Sequence, residues 1–195
     1  MFANPYAQFL KIETDVSKTW HVGLTSQLVA HADVGVIWSY GNSSAAPYSE
    51  QFYVGGANSV RAFAVRSIGP GSYVTDESRL SYLDQTGDIK VQLNLEWRFR
   101  LFGSLYGAAF LDAGNVWALR DDGYRSGAKF KFGNVFRQMA LGTGAGLRYD
   151  LDFIVLRLDW GVGLHVPYET GKGGFYNIPK FKDAQAIHLA IGYPF

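Results

Sequence analysis

The sequence predicts an all-β fold, an antiparallel transmembrane β-barrel wall. Seven stretches alternate apolar and polar residues, these stretches are long and end on aromatics, and the connections between them alternate short and long. The stretch 88–101 is the clearest. Ile89, Val91, Leu93, Leu95, Trp97, Phe99 and Leu101 fall on one face, and Lys90, Gln92, Asn94, Glu96, Arg98 and Arg100 on the other. Successive side chains of a strand point to opposite faces, so this is a strand with one apolar and one charged face. A soluble sandwich alternates in the same way, but its strands usually run about 5–6 residues.

The seven strands are placed at residues 6–20, 26–40, 88–101, 104–117, 136–149, 152–165 and 184–195. The first sets Leu10, Ile12, Thr14 and Val16 against Lys11, Glu13, Asp15 and Ser17. The second is less regular, with His31 and Asp33 on its polar face. In the fifth, Gln138, Ala140, Gly142, Gly144, Gly146 and Arg148 fall on the lumen side; in the sixth, Val155, Arg157, Asp159, Gly161 and Gly163 do. Trp20, Trp38, Tyr40, Trp97, Trp117, Tyr149, Tyr193 and Phe195 lie near strand ends, as two interfacial girdles would. The long connections are 41–87, 118–135 and 166–183. In an up-and-down barrel they share one rim, which in outer-membrane barrels is the extracellular one, with the short turns periplasmic.

Composition agrees. The chain has 195 residues, enough for one domain, and is 48% hydrophobic and 16% aromatic with net charge +1. The near-zero charge argues against a nucleic-acid partner. No apolar run reaches the roughly 18 residues of a transmembrane helix, whereas barrels hide their hydrophobicity in alternation. Cysteine is absent, so thiolate metal sites are excluded. His21, His31, His165 and His188 show no metal-ligand spacing, no nucleophile elbow occurs, and Gly142, Gly144 and Gly146 lack the lysine of a phosphate loop. These glycines share one face and fit as small lumen positions that make room for an inserted segment. No catalytic residue, metal or cofactor is expected. Residues 1–8 lack the basic start and apolar core of a signal peptide, so a piece of a longer protein, or a processed one, is expected.

Loop 41–87 carries the most specific text. It runs from Gln51 to Phe63 through Gly55, Gly56, Ser59, Val60, Arg61 and Ala62, and continues from Arg66 to Tyr73. This resembles the loop of the BamA/TamA superfamily of outer-membrane insertases and the related two-partner secretion transporters, whose core is Val-Arg-Gly-Phe preceded by Gly-Gly and Ser. Ala62 stands where that pattern has glycine, so a different turn at the loop tip is expected. Asn94-Leu95-Glu96 matches the family's inward acid on the following strand, and Phe110-Leu111-Asp112-Ala113-Gly114 matches its Phe-x-Asp with a following glycine. The wider wording looks most like the TamA-like members of Bacteroidota.

The resemblance covers nearly the whole chain and implies the C-terminal portion, about 7–8 strands, of a barrel of about sixteen. Residues 1–195 then form one barrel domain, with loop 41–87 extracellular and folded back into the lumen. Arg61 is expected to latch the loop by pairing with Glu96 and Asp112, two inward carboxylates that repel unless a cation lies between them. Ile191, Tyr193 and Phe195 alternate outward and resemble the C-terminal β-signal of outer-membrane barrels.

The implied function is assembly, insertion or translocation of polypeptides at the bacterial outer membrane, through a barrel with an Arg-latched lumen loop and a separable seam. The implied partners are outer-membrane lipid, client outer-membrane or secreted polypeptides, the barrel-assembly machinery and accessory periplasmic or lipoprotein subunits. The alternative is a small passive barrel or pore formed with a second copy, without insertase activity. An enzyme or adhesin built on the long loops finds only Asp121, Asp122, Tyr124, Arg125, Lys129 and Lys131 there, with no recognisable constellation.

Overall fold

A computed structural model describes residues 6–75 and 81–195. It contains one antiparallel sheet in sequence order: β1 (Phe9–His21), β2 (Ser26–Ser39), β3 (Ile89–Phe102), β4 (Leu105–Trp117), β5 (Ala140–Asp150), β6 (Val155–His165) and β7 (Gln185–Ile191). Every neighbouring pair is antiparallel, so all three long connections lie at one end and the short turns at the other.

The two faces follow the alternation. In β3, Leu93, Leu95 and Trp97 are exposed on the convex side, while Gln92, Asn94 and Glu96 are buried on the concave side. Leu156, Leu158 and Trp160 of β6, and Ile187, Leu189 and Ile191 of β7, extend the exposed apolar surface. The concave face is covered by residues of loop 41–87. Phe52, Val54, Val60 and Ile68 pack with Ile37, Val116 and Ala140 in its main apolar cluster. A smaller cluster of Val166, Ile178 and Ala184 lies under the third long connection, against Phe63. β1 is exposed along both faces after its first residue and pairs only with β2.

The structure corrects several sequence boundaries. β5 begins at Ala140 because Val135–Gln138 forms a helical turn. β6 begins at Val155 because Asp152, with φ +66°, belongs to a turn closed by Leu151 N–H on the Ile154 carbonyl at 2.9 Å. β7 ends at Ile191, since Gly192 adopts φ +82° and redirects the chain. Tyr193 and Phe195 therefore do not continue the outward alternation. Tyr193 lies against Arg98, with the guanidinium 4.4 Å from its ring centroid, and Phe195 stacks on His31 at 4.8 Å. Nor is Trp117 a girdle residue. It is fully buried beneath the second long connection, donating to Gln138 Oε1 at 2.8 Å and meeting Phe130 edge-on. Trp20, Trp38, Tyr40, Trp97 and Tyr149 remain exposed.

Candidate functional site

The site begins with a tight excursion of loop 41–87 onto the concave face. Gly56 N–H donates to the Phe63 carbonyl at 2.9 Å, and within this closure Ser59 N–H reaches the Gly56 carbonyl and Phe63 N–H the Val60 carbonyl, each at 3.1 Å. Gly55 and Gly56 have φ +100° and +96°, a region that favours glycine. Ala62 is not among the positive-φ residues, so the alanine in place of glycine is accommodated without left-handed backbone. Its methyl points at Gly142, where a Cβ would collide with it. At Gly161 a Cβ would strike the backbone of Arg61 and Ala62. The small positions of β5 and β6 thus let the loop backbone lie directly on the sheet, and Gly114 does the same for Val60. Ser59 fixes the tip, donating to Gln92 Oε1 at 2.6 Å while its Oγ accepts Gly55 N–H at 3.2 Å.

This geometry delivers Arg61 to the wall with no side-chain exposure. Its Nε donates to Asp112 Oδ2 at 2.8 Å, its Nη2 to Asp112 Oδ1 at 2.9 Å, and its backbone N–H to Asp112 Oδ2 at 3.0 Å. Nη1 donates to Glu96 Oε2. The guanidinium lies 3.7 Å from the Phe110 ring centroid, stacked in the manner open to a planar cation. Asn94 ties the parts together, donating to Asp112 Oδ1 and to the Ser59 carbonyl, both at 2.8 Å. Arg61, Glu96, Asp112, Phe110 and the loop residues Gly55, Gly56, Ser59, Val60, Ala62 and Phe63 therefore form one contiguous site. Ile191, Tyr193 and Phe195 do not contribute as a unit. Ile191 is exposed on the convex side, while the Phe195 ring reaches within 5.7 Å of Arg61.

Several members were not singled out from sequence. Arg98 Nε donates to Glu96 at 2.6 Å and Arg148 Nη2 at 3.1 Å, so three guanidinium groups surround one carboxylate. Arg148 also pairs with Asp159 at 2.6 Å, and Arg157 meets Asp159 at 3.3 Å and Asn58 of the loop at 2.5 Å. His188 of β7 donates to the Arg61 carbonyl at 2.9 Å. The inward positions of Arg148, Arg157 and Asp159 were visible in the alternation; their meeting across strands was not. No cluster of metal-ligating side chains occurs among the described residues.

An open antiparallel wall with an apolar convex face and a charged concave face, overlaid by a loop whose arginine bridges two strands, is the architecture of a segment of an outer-membrane β-barrel wall. The family model described as "Omp85 superfamily domain" matches residues 3–194, and the chain belongs to that superfamily, whose BamA-type members are bacterial outer-membrane barrels. It is 32% identical over 108 residues to the outer membrane protein assembly factor BamA of Neisseria meningitidis serogroup B, covering 52% of this chain and 13% of that one. Among solved structures, BamA from Haemophilus ducreyi lacking POTRA domains 1–3 matches with TM-score 0.64 at 17% identity, over 95% of this chain and 35% of that one. CdiB from Acinetobacter baumannii matches with TM-score 0.54 at 16% identity, over 96% and 27% respectively. The chain thus spans about an eighth of that curated relative and about a third of the first solved structure.

Proposed function

We propose that this chain is the C-terminal barrel portion of an outer-membrane protein that assembles, inserts or translocates client polypeptides, with loop 41–87 latched in the lumen through Arg61, Glu96 and Asp112. The observation that carries the reading is the cover on the concave face. A passive pore needs an open, water-lined lumen, whereas here the loop packs Val54, Val60 and Ile68 against the wall and buries Arg61. On this reading the extracellular loop is a fixed internal part rather than a surface appendage. The partners are client polypeptides, the assembly machinery with its accessory subunits, and outer-membrane lipid, and no catalytic group is required.

Strand parity disfavours the pore made from two copies. β1 and β7 run in the same direction, as the first and last of an odd antiparallel series must. Joining β1 of one copy to β7 of another, both in the same membrane orientation, would make a parallel pair. An open edge is not tolerated in lipid, and an antiparallel closure needs an odd number of further strands between β7 and β1. That requirement fits a larger barrel.

The test is depletion of the native gene product in its own bacterium, with folded outer-membrane porins followed by their heat-modifiable migration on gels. Loss of folded porins, or of a secreted client, ahead of any loss of lipid integrity supports the reading. Unchanged levels of both, together with ion conductance by the purified chain, would favour the pore.

A further inference from the structure

The short-turn end of the concave face holds a cavity of about 320 Å³ that the loop does not fill. Its wall carries Arg98, Arg100 and Arg148, with Tyr106, Tyr193 and a single acid, Asp150. Arg98 directs Nε to Glu96 and its face to the Tyr193 ring, and its buried Nη2 has no hydrogen-bond partner among the described residues. Arg148 has no side-chain exposure; its Nη2 donates to Glu96 and its Nη1 to the Leu147 carbonyl, with Nη1 also ion-paired to Asp159 at 2.6 Å, and its Nε has no hydrogen-bond partner among the described residues. Both Asp159 oxygens are likewise without a donor, so a ligand in the cavity meets the exposed parts of Arg98 and Arg100 rather than these buried N–H groups. Charge favours an anion there. Arg61, Arg98, Arg148 and Arg157 face Glu96, Asp112 and Asp159 in the interior network, an excess of one positive charge, while Arg100 and Asp150 offset each other at the mouth.

We propose that this cavity binds a carboxylate presented by an acidic polypeptide segment with an aromatic or apolar residue beside it. Arginine N–H groups match the oxygens of a carboxylate. Tyr106 and Tyr193 offer ring faces next to them, and the fully exposed Leu24 offers an apolar lip. The cavity is on the charged face, bordered by the β1–β2 turn residues Leu24 and Thr25, and not on the apolar convex wall. A ligand therefore approaches through water at the rim, which favours a peptide over a lipid headgroup. The site goes beyond the assembly reading and does not depend on it, because binding is measured with a free peptide.

The experiment uses the full chain in detergent micelles and fluorescence anisotropy with a labelled short peptide carrying two glutamates around a phenylalanine, beside its glutamine twin. A charge-assisted pairing predicts that the glutamate peptide binds roughly tenfold more tightly than its twin. Arg98→Gln should erase that preference and Asp150→Asn should increase it, with heat-modifiable migration retained. If Arg98→Gln does not fold, Arg100→Gln and Asp150→Asn carry the test with opposite expected signs, since Arg100 is exposed and its side chain donates to the Gly103 carbonyl at the turn. Equal binding of the two peptides, or a preference insensitive to these variants, overturns the proposal. Competition by inorganic phosphate or by phosphatidylglycerol nanodiscs as effective as by the peptide would also overturn it, and would assign the cavity to a free phosphate or a lipid headgroup respectively.

Discussion

Arg61 holds Asp112 by three hydrogen bonds, two from its guanidinium at 2.8 and 2.9 Å and one from its own backbone N–H at 3.0 Å. The backbone bond matters because it survives truncation of the side chain. Arg61→Ala then leaves Asp112 and Glu96 buried without their shared cation, and breaking a buried pair by removing one partner costs about 3–5 kcal/mol. The expected outcome is a lower unfolding temperature on heat-modifiability gels and faster proteolysis within loop 41–87. Arg61→Lys should rescue little, because a single ammonium cannot reproduce the fork or the stack on Phe110.

Glu96 faces Arg61, Arg98 and Arg148 together. Glu96→Gln removes the carboxylate that all three cations share and should destabilise the wall on its own. The double variant Arg61→Ala with Glu96→Gln should lose less than the sum of the singles, since it removes both members of one pair. A coupling of about 0.5–3 kcal/mol is expected for groups sharing a network, read from denaturant titrations of all four forms.

The close approach of loop and wall is testable at the glycines. Gly161→Ala places a methyl against the Arg61 carbonyl and the Ala62 Cα, where backbone must move. Overpacking of this kind typically costs about 1–3 kcal/mol. Gly133→Ala, which meets open space, should change stability by less than about 0.5 kcal/mol. Equal effects of the two variants would remove the basis for a loop seated on β6.

The second long connection should respond to acid. Asp122 is partly buried, which raises its pKa, but the N–H groups of Arg125 and Tyr124 and the Arg125 guanidinium outweigh this and hold it below the usual carboxylate range. A depressed carboxylate contributes stability above its unfolded pKa and loses it as pH falls through the folded value. Arg125 also donates to the carbonyls of Asp84 and Thr86, so protonating Asp122 should loosen the contact between the two loops. Amide exchange around residues 121–128 should rise at acid pH, and Asp122→Asn should show that faster exchange already at neutral pH.

Much of the wall was legible in the sequence because a period of two is a local property. The alternation in β3 marks Gln92, Asn94 and Glu96 as inward without knowledge of any neighbour. Asp112 is marked in the same way on β4, while Arg61 was legible only through the wording of its loop. The failures are non-local. Trp117 alternates like a lipid-facing residue, and only the fold of residues 118–138 over it makes it interior. Tyr193 and Phe195 continue the apolar phase of β7 on paper, but positive φ at Gly192 breaks the phase, and their partners Arg98 and His31 are far away in sequence. Arg148, Arg157 and Asp159 were visible as inward charges, yet their contacts depend on strand register, which alternation leaves unspecified.

Because the chain has no cysteine, a single Ala62→Cys thiol is a clean reporter of where the loop lies, and the small Ala62 side chain is almost wholly buried against Gly142. The most direct measurement is the rate of maleimide labelling of that thiol in outer membranes, with and without Arg61→Ala, beside an exposed control thiol at Ser126→Cys. The latch predicts slow labelling of the Ala62→Cys protein and labelling close to the control rate once Arg61 is removed. Control-rate labelling with Arg61 intact, or protection that persists in Arg61→Ala, would contradict it.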